Sequence, residues 1–181
     1  MTNAWVLQKV EVRGLGRVLA LALAGSLVVA VLARVQIPYA PVPITGQTFG
    51  VLLVGALFGA RLGALALGLY LLEGAMGLPV FARGGGIAYL LGPTGGYLLA
   101  FPAAAYLAGA FFERGAGRRP LVAFGSLLLS VAVVFAVGVP WLALYLGADV
   151  PRALAVGLYP FLPGELLKVA LLVLVLRRFY R

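Results

Sequence analysis

Residues 121 to 146 run for 26 positions without one charged side chain. A helix needs ~20 apolar residues to cross the roughly 30 Å hydrocarbon core of a bilayer, so this single run already commits the chain to a membrane. The remainder agrees, with 64% hydrophobic and 10% charged residues over 181 positions. Soluble domains carry about 25% charged residues, and a mean hydropathy of +1.11 lies far outside their range. Short connections leave space for about six such helices and none for a soluble domain.

Lys and Arg number 14 against five Asp and Glu. In a soluble protein that excess suggests nucleic acid. Here the basic residues cluster at the ends of apolar runs and read as topology signals, so no nucleic-acid partner is expected. Cysteine and histidine are both absent, which removes disulfides, thiol nucleophiles, imidazole bases and the usual zinc ligands. Neither a metal nor a cofactor is expected. The first apolar run follows Lys9, Glu11, Arg13 and Arg17, as in a signal peptide. No clear small-residue cleavage site leads from it into a soluble chain, so it reads as a retained helix.

The expected architecture is all-α, one membrane domain over 1–181 with spans near 15–33, 48–60, 62–78, 96–112, 121–146 and 163–177. The second span covers only ~20 Å at 1.5 Å per residue. The preceding VQIPYAPVPITGQT carries Pro38, Pro41 and Pro43, which forbid a regular helix and predict an ordered or re-entrant loop packed against protein. A second irregular stretch, PVFARGGGIAYLLGPTGGY, follows the third span. Pro140 is expected to kink or end the fifth. Six crossings place the amino-terminal basic cluster, Arg61, the 113–119 loop and Arg177, Arg178 and Arg181 on one side, which the positive-inside rule makes the cytoplasm. Both termini are then cytoplasmic, and every irregular connection faces outward.

In FLPGELLKVALL, Glu165 and Lys168 stand at i and i+3 on one helix face. Ionisable groups within a span usually face a cavity, and two opposite charges can each hold one end of a polar ligand yet satisfy one another when it leaves. A self-contained interfacial ion pair is the alternative. Glu73 is a second acid within a span, either capping the neighbouring glycine-rich loop or serving a site. Arg83 opens RGGG, where Gly84, Gly85 and Gly86 let backbone approach a flat ligand or merely turn the chain. Tyr89 and Tyr97, with Thr45, Gln47 and Thr94, either form an interfacial belt or supply hydrogen bonds to a mainly apolar pocket. Ala20 and Ala24 share a face of the first helix, and Gly55, Gly59 and Gly63 repeat a small-residue spacing typical of close helix packing. The chain carries no nucleotide-binding loop, so an ATP-driven activity needs a partner.

The blocks PVPIT-Q, GLPVF and GPTGGY, in this order and followed by FLPGELLKVALL, resemble the BioY family, the biotin-binding S components of energy-coupling factor (ECF) transporters. The resemblance covers about residues 35 to 175. It implies a six-helix protein of a prokaryotic cell membrane that captures biotin from outside. It further implies a complex with a transmembrane coupling subunit and an ATPase pair, and toppling of the bundle in lipid to deliver the ligand. The family's acid and lysine at the start of the last helix match Glu165 and Lys168, with Glu165 standing where aspartate is more frequent. Gly84 to Gly86 match its glycine-rich loop, Gly92 to Tyr97 its GPTGGY block, and Ala20 and Ala24 its docking face.

Glu165 can accept from the N–H groups of a ureido ring, while Lys168 or Arg83 can donate to its carbonyl or to a carboxylate tail. The assignment of each cation to an end stays open. A proton-coupled secondary carrier using Glu165 or Glu73 is the alternative to ATP-driven capture. An enzyme lacks any accompanying nucleophile or metal set, and a purely structural subunit predicts no saturable ligand.

Overall fold

The structure, a computed structural model, describes residues 14–180. Helix α1 spans Leu15–Arg34, α2 Gln47–Phe58, α3 Ala60–Ala75, α4 Ile87–Leu90 and α5 Gly95–Leu99. Next come α6 over Phe101–Glu113, α7 over Pro120–Leu146, α8 over Val150–Gly157 and α9 over Leu162–Leu176. Among the described residues, four stretches are long and apolar enough to cross a membrane: Leu15–Arg34, Gly95–Glu113, Pro120–Leu146 and Val150–Leu176. The chain is a multi-pass membrane protein.

The proline-rich segment after α1 is neither helical nor loose. Strands β1 (Gln36–Ile37) and β2 (Ile44–Thr45) pair antiparallel, Gln36 opposite Thr45 and Ile37 opposite Ile44, around a turn with a cis Ala40–Pro41 bond. This hairpin delivers the chain straight into α2, which at 12 residues is about 18 Å long. Gly59 alone joins α2 to α3, and its φ of 86° lies in a region that glycine enters without steric penalty. The third helix stops at Ala75, earlier than the expected 78, and the fourth expected span is α5 and α6 in succession. Pro140 does not end α7, which runs on to Leu146. The segment before the last span, expected to be irregular, contains α8, whose amino terminus Asp149 caps by accepting from the Arg152 amide.

The small residues do set close packing. A Cβ on Gly55 would overlap the Ala105 carbonyl of α6, and one on Gly109 would overlap the Gly59–Ala60 backbone. α2, α3 and α6 thus form the tight centre, with α1 against α3 and α7 against α5 and α6.

The helices run alternately between two ends. At one end Glu113 closes α6 and accepts from the Ala60 amide at 2.8 Å, capping α3. There Tyr180 is buried against Phe112 and donates to the Ala56 carbonyl at 2.6 Å. Arg61, Arg114, Arg118, Arg119, Arg177 and Arg178 are exposed at this end. Of the amino-terminal basic cluster only Arg17 lies among the described residues. The other end carries the hairpin, the glycine-rich loop and α8.

Candidate functional site

The first turn of α9 contains Pro163 and Glu165, so the carboxylate sits where the helix dipole favours negative charge. Glu165 is only 3% exposed. Lys168, one turn on, donates to Glu165 Oε1 as the spacing predicts. Its ammonium also donates to the Thr45 carbonyl at 2.9 Å and to Thr48 Oγ1 at 2.7 Å. An ammonium has three N–H groups, and all three are taken. Thr48 Oγ1 in turn donates to Glu165 Oε1 at 2.9 Å. Glu165 Oε2 is buried with no hydrogen-bond partner in the protein. Leaving a buried carboxylate oxygen unmet is costly, on the order of 1–3 kcal/mol or more, and it marks a place for an incoming donor.

The hairpin holds the opposite wall. Thr45 Oγ1 accepts from the Gln47 amide at 3.2 Å and donates to Gln47 Oε1 at 3.0 Å. Gln47 Nε2 donates to the Tyr70 hydroxyl at 2.7 Å, which donates to the Val80 carbonyl at 3.0 Å. This relay locks the start of α2, and with it Thr48, against α3.

Between these walls lies a partly open cavity, about 50 Å³ of it free space, lined by polar, aromatic and aliphatic side chains together, the mixture that small-molecule sites present. Thr45, Gln47, Tyr89, Thr94, Tyr97 and Glu165 all line it, as does Thr48. Phe101, Phe135 and Phe161 supply apolar wall. Tyr97 meets Phe135 edge to face at 5.9 Å, and Phe135 meets Phe161 at 6.0 Å. The Tyr97 hydroxyl donates to the Gly157 carbonyl at 2.9 Å, fastening α5 to α8 over the cavity. That ring lies where Gly138 and Gly157 have no side chain to obstruct it.

Sequence reasoning missed Thr48 and the three phenylalanines. Thr48 stands three residues after Thr45 on the entry to α2, a spacing that does carry a signal. The phenylalanines are indistinguishable in sequence from lipid-facing ones. Lys168 braces the site from behind and is not part of the lining. Arg83 and Gly84 to Gly86 lie outside it too. Arg83 is exposed and donates to the Tyr39 carbonyl at 3.4 Å. Gly84 bridges back to Phe81, and the Gly86 amide donates to the Gly74 carbonyl of α3 at 2.6 Å, so both amides are already bonded within the protein. Glu73 accepts from Ser26 and ties α3 to α1, away from the cavity. Ala20 and Ala24 are both exposed on α1.

A bundle of apolar helices long enough to span a membrane, with a cavity at one end and a buried carboxylate in its wall, has the architecture of a small-molecule transport protein. The BioY family profile matches residues 4–181, and the chain belongs to that family. The probable biotin transporter BioY of Pyrococcus horikoshii is 39% identical over 147 residues, covering 81% of this chain and 85% of that one. The biotin transporter BioY of Thermotoga maritima gives the same identity and coverage. The crystal structure of the S-component for biotin from an ECF-type ABC transporter superposes with a TM-score of 0.79 at 29% identity, over 100% of both chains.

Proposed function

We infer that the chain is the substrate-capture subunit of an ECF-type uptake transporter, binding biotin in the cavity beside Glu165 for ATP-driven import through a transmembrane coupling subunit and an ATPase pair. The observation that carries this reading is the unmet oxygen of Glu165, the one charged side chain lining a cavity of aromatic, aliphatic and neutral polar residues. A ureido ring offers the N–H donor that this oxygen lacks. The bicyclic ring then lies among Tyr89, Tyr97, Phe101, Phe135 and Phe161, with Thr48 and Thr94 as polar neighbours. Lys168 has every N–H engaged, so in this reading the exposed Arg83, outside the lining, is the cation left for the carboxylate tail. Relatives named as biotin transporters, and a solved relative described as an S-component for biotin, support the ligand.

In this reading the protein sits in the cell membrane of a prokaryote with six crossings, α2 and α3 being the two short ones. The arginine-rich end and both termini are cytoplasmic, and the cavity opens outward. The exposed Ala20 and Ala24 face of α1 is the docking surface for the coupling subunit. Glu73, held by Ser26 and remote from the cavity, gives no support to a proton-coupled carrier. Proteoliposomes separate the two readings. Biotin accumulation that requires both the coupling module and ATP is the expected result, whereas accumulation by this chain alone under a proton gradient contradicts it.

A further inference from the structure

A second, larger concavity lies beside the first and opens sideways. On α7, Leu128, Val131, Ala132, Phe135, Ala136, Val139 and Pro140 line it, one unbroken helical face at spacings of three and four. Facing them, Val150, Leu154, Leu158, Leu162 and Leu166 repeat every four residues from α8 through the intervening turn into α9. α7 packs against both α8 and α9, and along the same two ladders runs a groove of about 480 Å³. Val131, Phe135 and Val139 form its buried floor, and Ala132, Ala136, Pro140 and Leu166 its exposed rim. Between Leu128 and Pro140 it extends about 18 Å along α7, more than half the ~30 Å hydrocarbon thickness.

We propose that this groove binds one acyl chain of a membrane lipid, aligned with α7, and that the chain completes the wall behind Phe135 and Glu165. Both walls belong to stretches long and apolar enough to be membrane spans, so the groove opens onto lipid rather than water. Water is excluded as a filling because each water needs two to four polar partners, and every lining side chain but Glu165 is apolar. Glu165, itself only 3% exposed, is a single polar side chain and falls short of the two partners that one water needs. The small exposed residues Ala132, Ala136 and Pro140, four apart, keep the rim low, so a flexible methylene chain can reach the trough floored by Val131, Phe135 and Val139. Phe135 and Glu165 line both the groove and the outer cavity, so they are the partition between them. This site stands on the groove's own geometry and does not depend on the identity of the ligand in the cavity.

The test uses the full chain in nanodiscs of phosphatidylcholine containing a fraction with a diazirine at the end of one acyl chain. After photolysis, mass spectrometry locates the adducts. The expected result is labelling concentrated on residues 128–140 and 154–166, several-fold above lipid-facing Leu19, Leu23, Leu171 and Leu174, and reduced to their level in Ala136→Trp. Ala132→Leu fills the trough more gently and gives the same direction if the tryptophan variant does not fold. Uniform labelling over all lipid-facing positions, or labelling unchanged in the filled variants, overturns the proposal. So does an unlabelled groove, which means that α8 and α9 close on α7 in the bilayer. Because the chain has no cysteine, Ala136→Cys reports cleanly on a second copy, and efficient disulfide-linked dimers in the same nanodiscs would equally overturn it.

Discussion

Glu113 and Glu165 stand at opposite ends of the bundle and are held in different ways. Glu113 gives an oxygen to the Ala60 amide, beside helices so close that Gly55 and Gly109 admit no Cβ. Glu165 gives one oxygen to Lys168 and Thr48 and keeps the other unmet, beside a cavity. The arginine-rich end spends Glu113 and Tyr180 on fastening backbone, whereas the other end has such fastenings from Tyr70, Tyr97 and Trp141 and also a charged pair with one oxygen unmet. Burying such a pair costs several kcal/mol of desolvation that mutual attraction only partly offsets, so stability alone does not explain it. An end built for rigidity and an end built for a ligand respond differently to mutation.

The largest expected effect is at the tight end. Gly109→Leu drives a side chain into the Gly59–Ala60 backbone, and no rotamer relieves it. Overpacking of a closed contact costs about 1–3 kcal/mol even for extra methylenes against movable side chains, and backbone does not yield. Folded yield on size-exclusion chromatography is expected to collapse. Gly164→Ala, at a position with open space around it, is expected to leave yield unchanged or slightly improved. Equal tolerance at both sites would erase the distinction between the two ends.

Next in size is Glu165→Gln, which keeps shape but removes charge. Loss of a charge-assisted hydrogen bond costs about 1.5–3 kcal/mol, so ligand affinity is expected to fall roughly ten- to 150-fold, and the melting temperature falls as well because Lys168 loses its charged partner. Thr48→Ala removes a neutral donor to the other carboxylate oxygen, Oε1, and is expected to weaken binding by about 1 kcal/mol, near fivefold in Kd. In contrast, Glu113→Ala strips the cap from α3 and is expected to lower stability by about 0.5–2 kcal/mol with affinity unchanged. A change in affinity there would show that the ends are coupled.

The smallest effect concerns pH. Burial pushes the Tyr180 phenol up to about 12, with Glu113 adding to the shift. Its unfolded value is near 10, so the neutral hydroxyl contributes stability below that pH and loses it as pH rises from about 10 to 12. Tyr180→Phe is expected to flatten that part of a melting-temperature profile.

How much of this was legible in the sequence follows the same division. Apolar runs with basic ends fixed the helical membrane class, because lipid allows few alternatives. The Glu165–Lys168 pair was readable since three residues along a helix are neighbours in any tertiary context. Thr45, Gln47, Tyr89, Thr94 and Tyr97 were legible as polar or half-polar residues in irregular stretches, and they do converge. The hairpin register was not legible, because two-residue strands between prolines carry no periodicity. Thr48 meets Lys168 across 120 positions of chain, a contact that local spacing cannot encode. Phe135 was hidden because a phenylalanine facing a cavity and one facing lipid obey the same hydropathy. Arg83 shows the converse, since a lone charge beside glycines drew attention although the structure leaves it exposed outside the lining.

The most direct test of the central claim is equilibrium binding of biotin to the purified detergent-solubilised chain, alongside Glu165→Ala and Lys168→Ala, with riboflavin and thiamine as controls. The expected result is saturable binding of biotin alone, weakened in both variants. Folded protein that binds no biotin, or binds it equally well without Glu165, would contradict the claim and return the pair to a structural ion bridge at the start of α9.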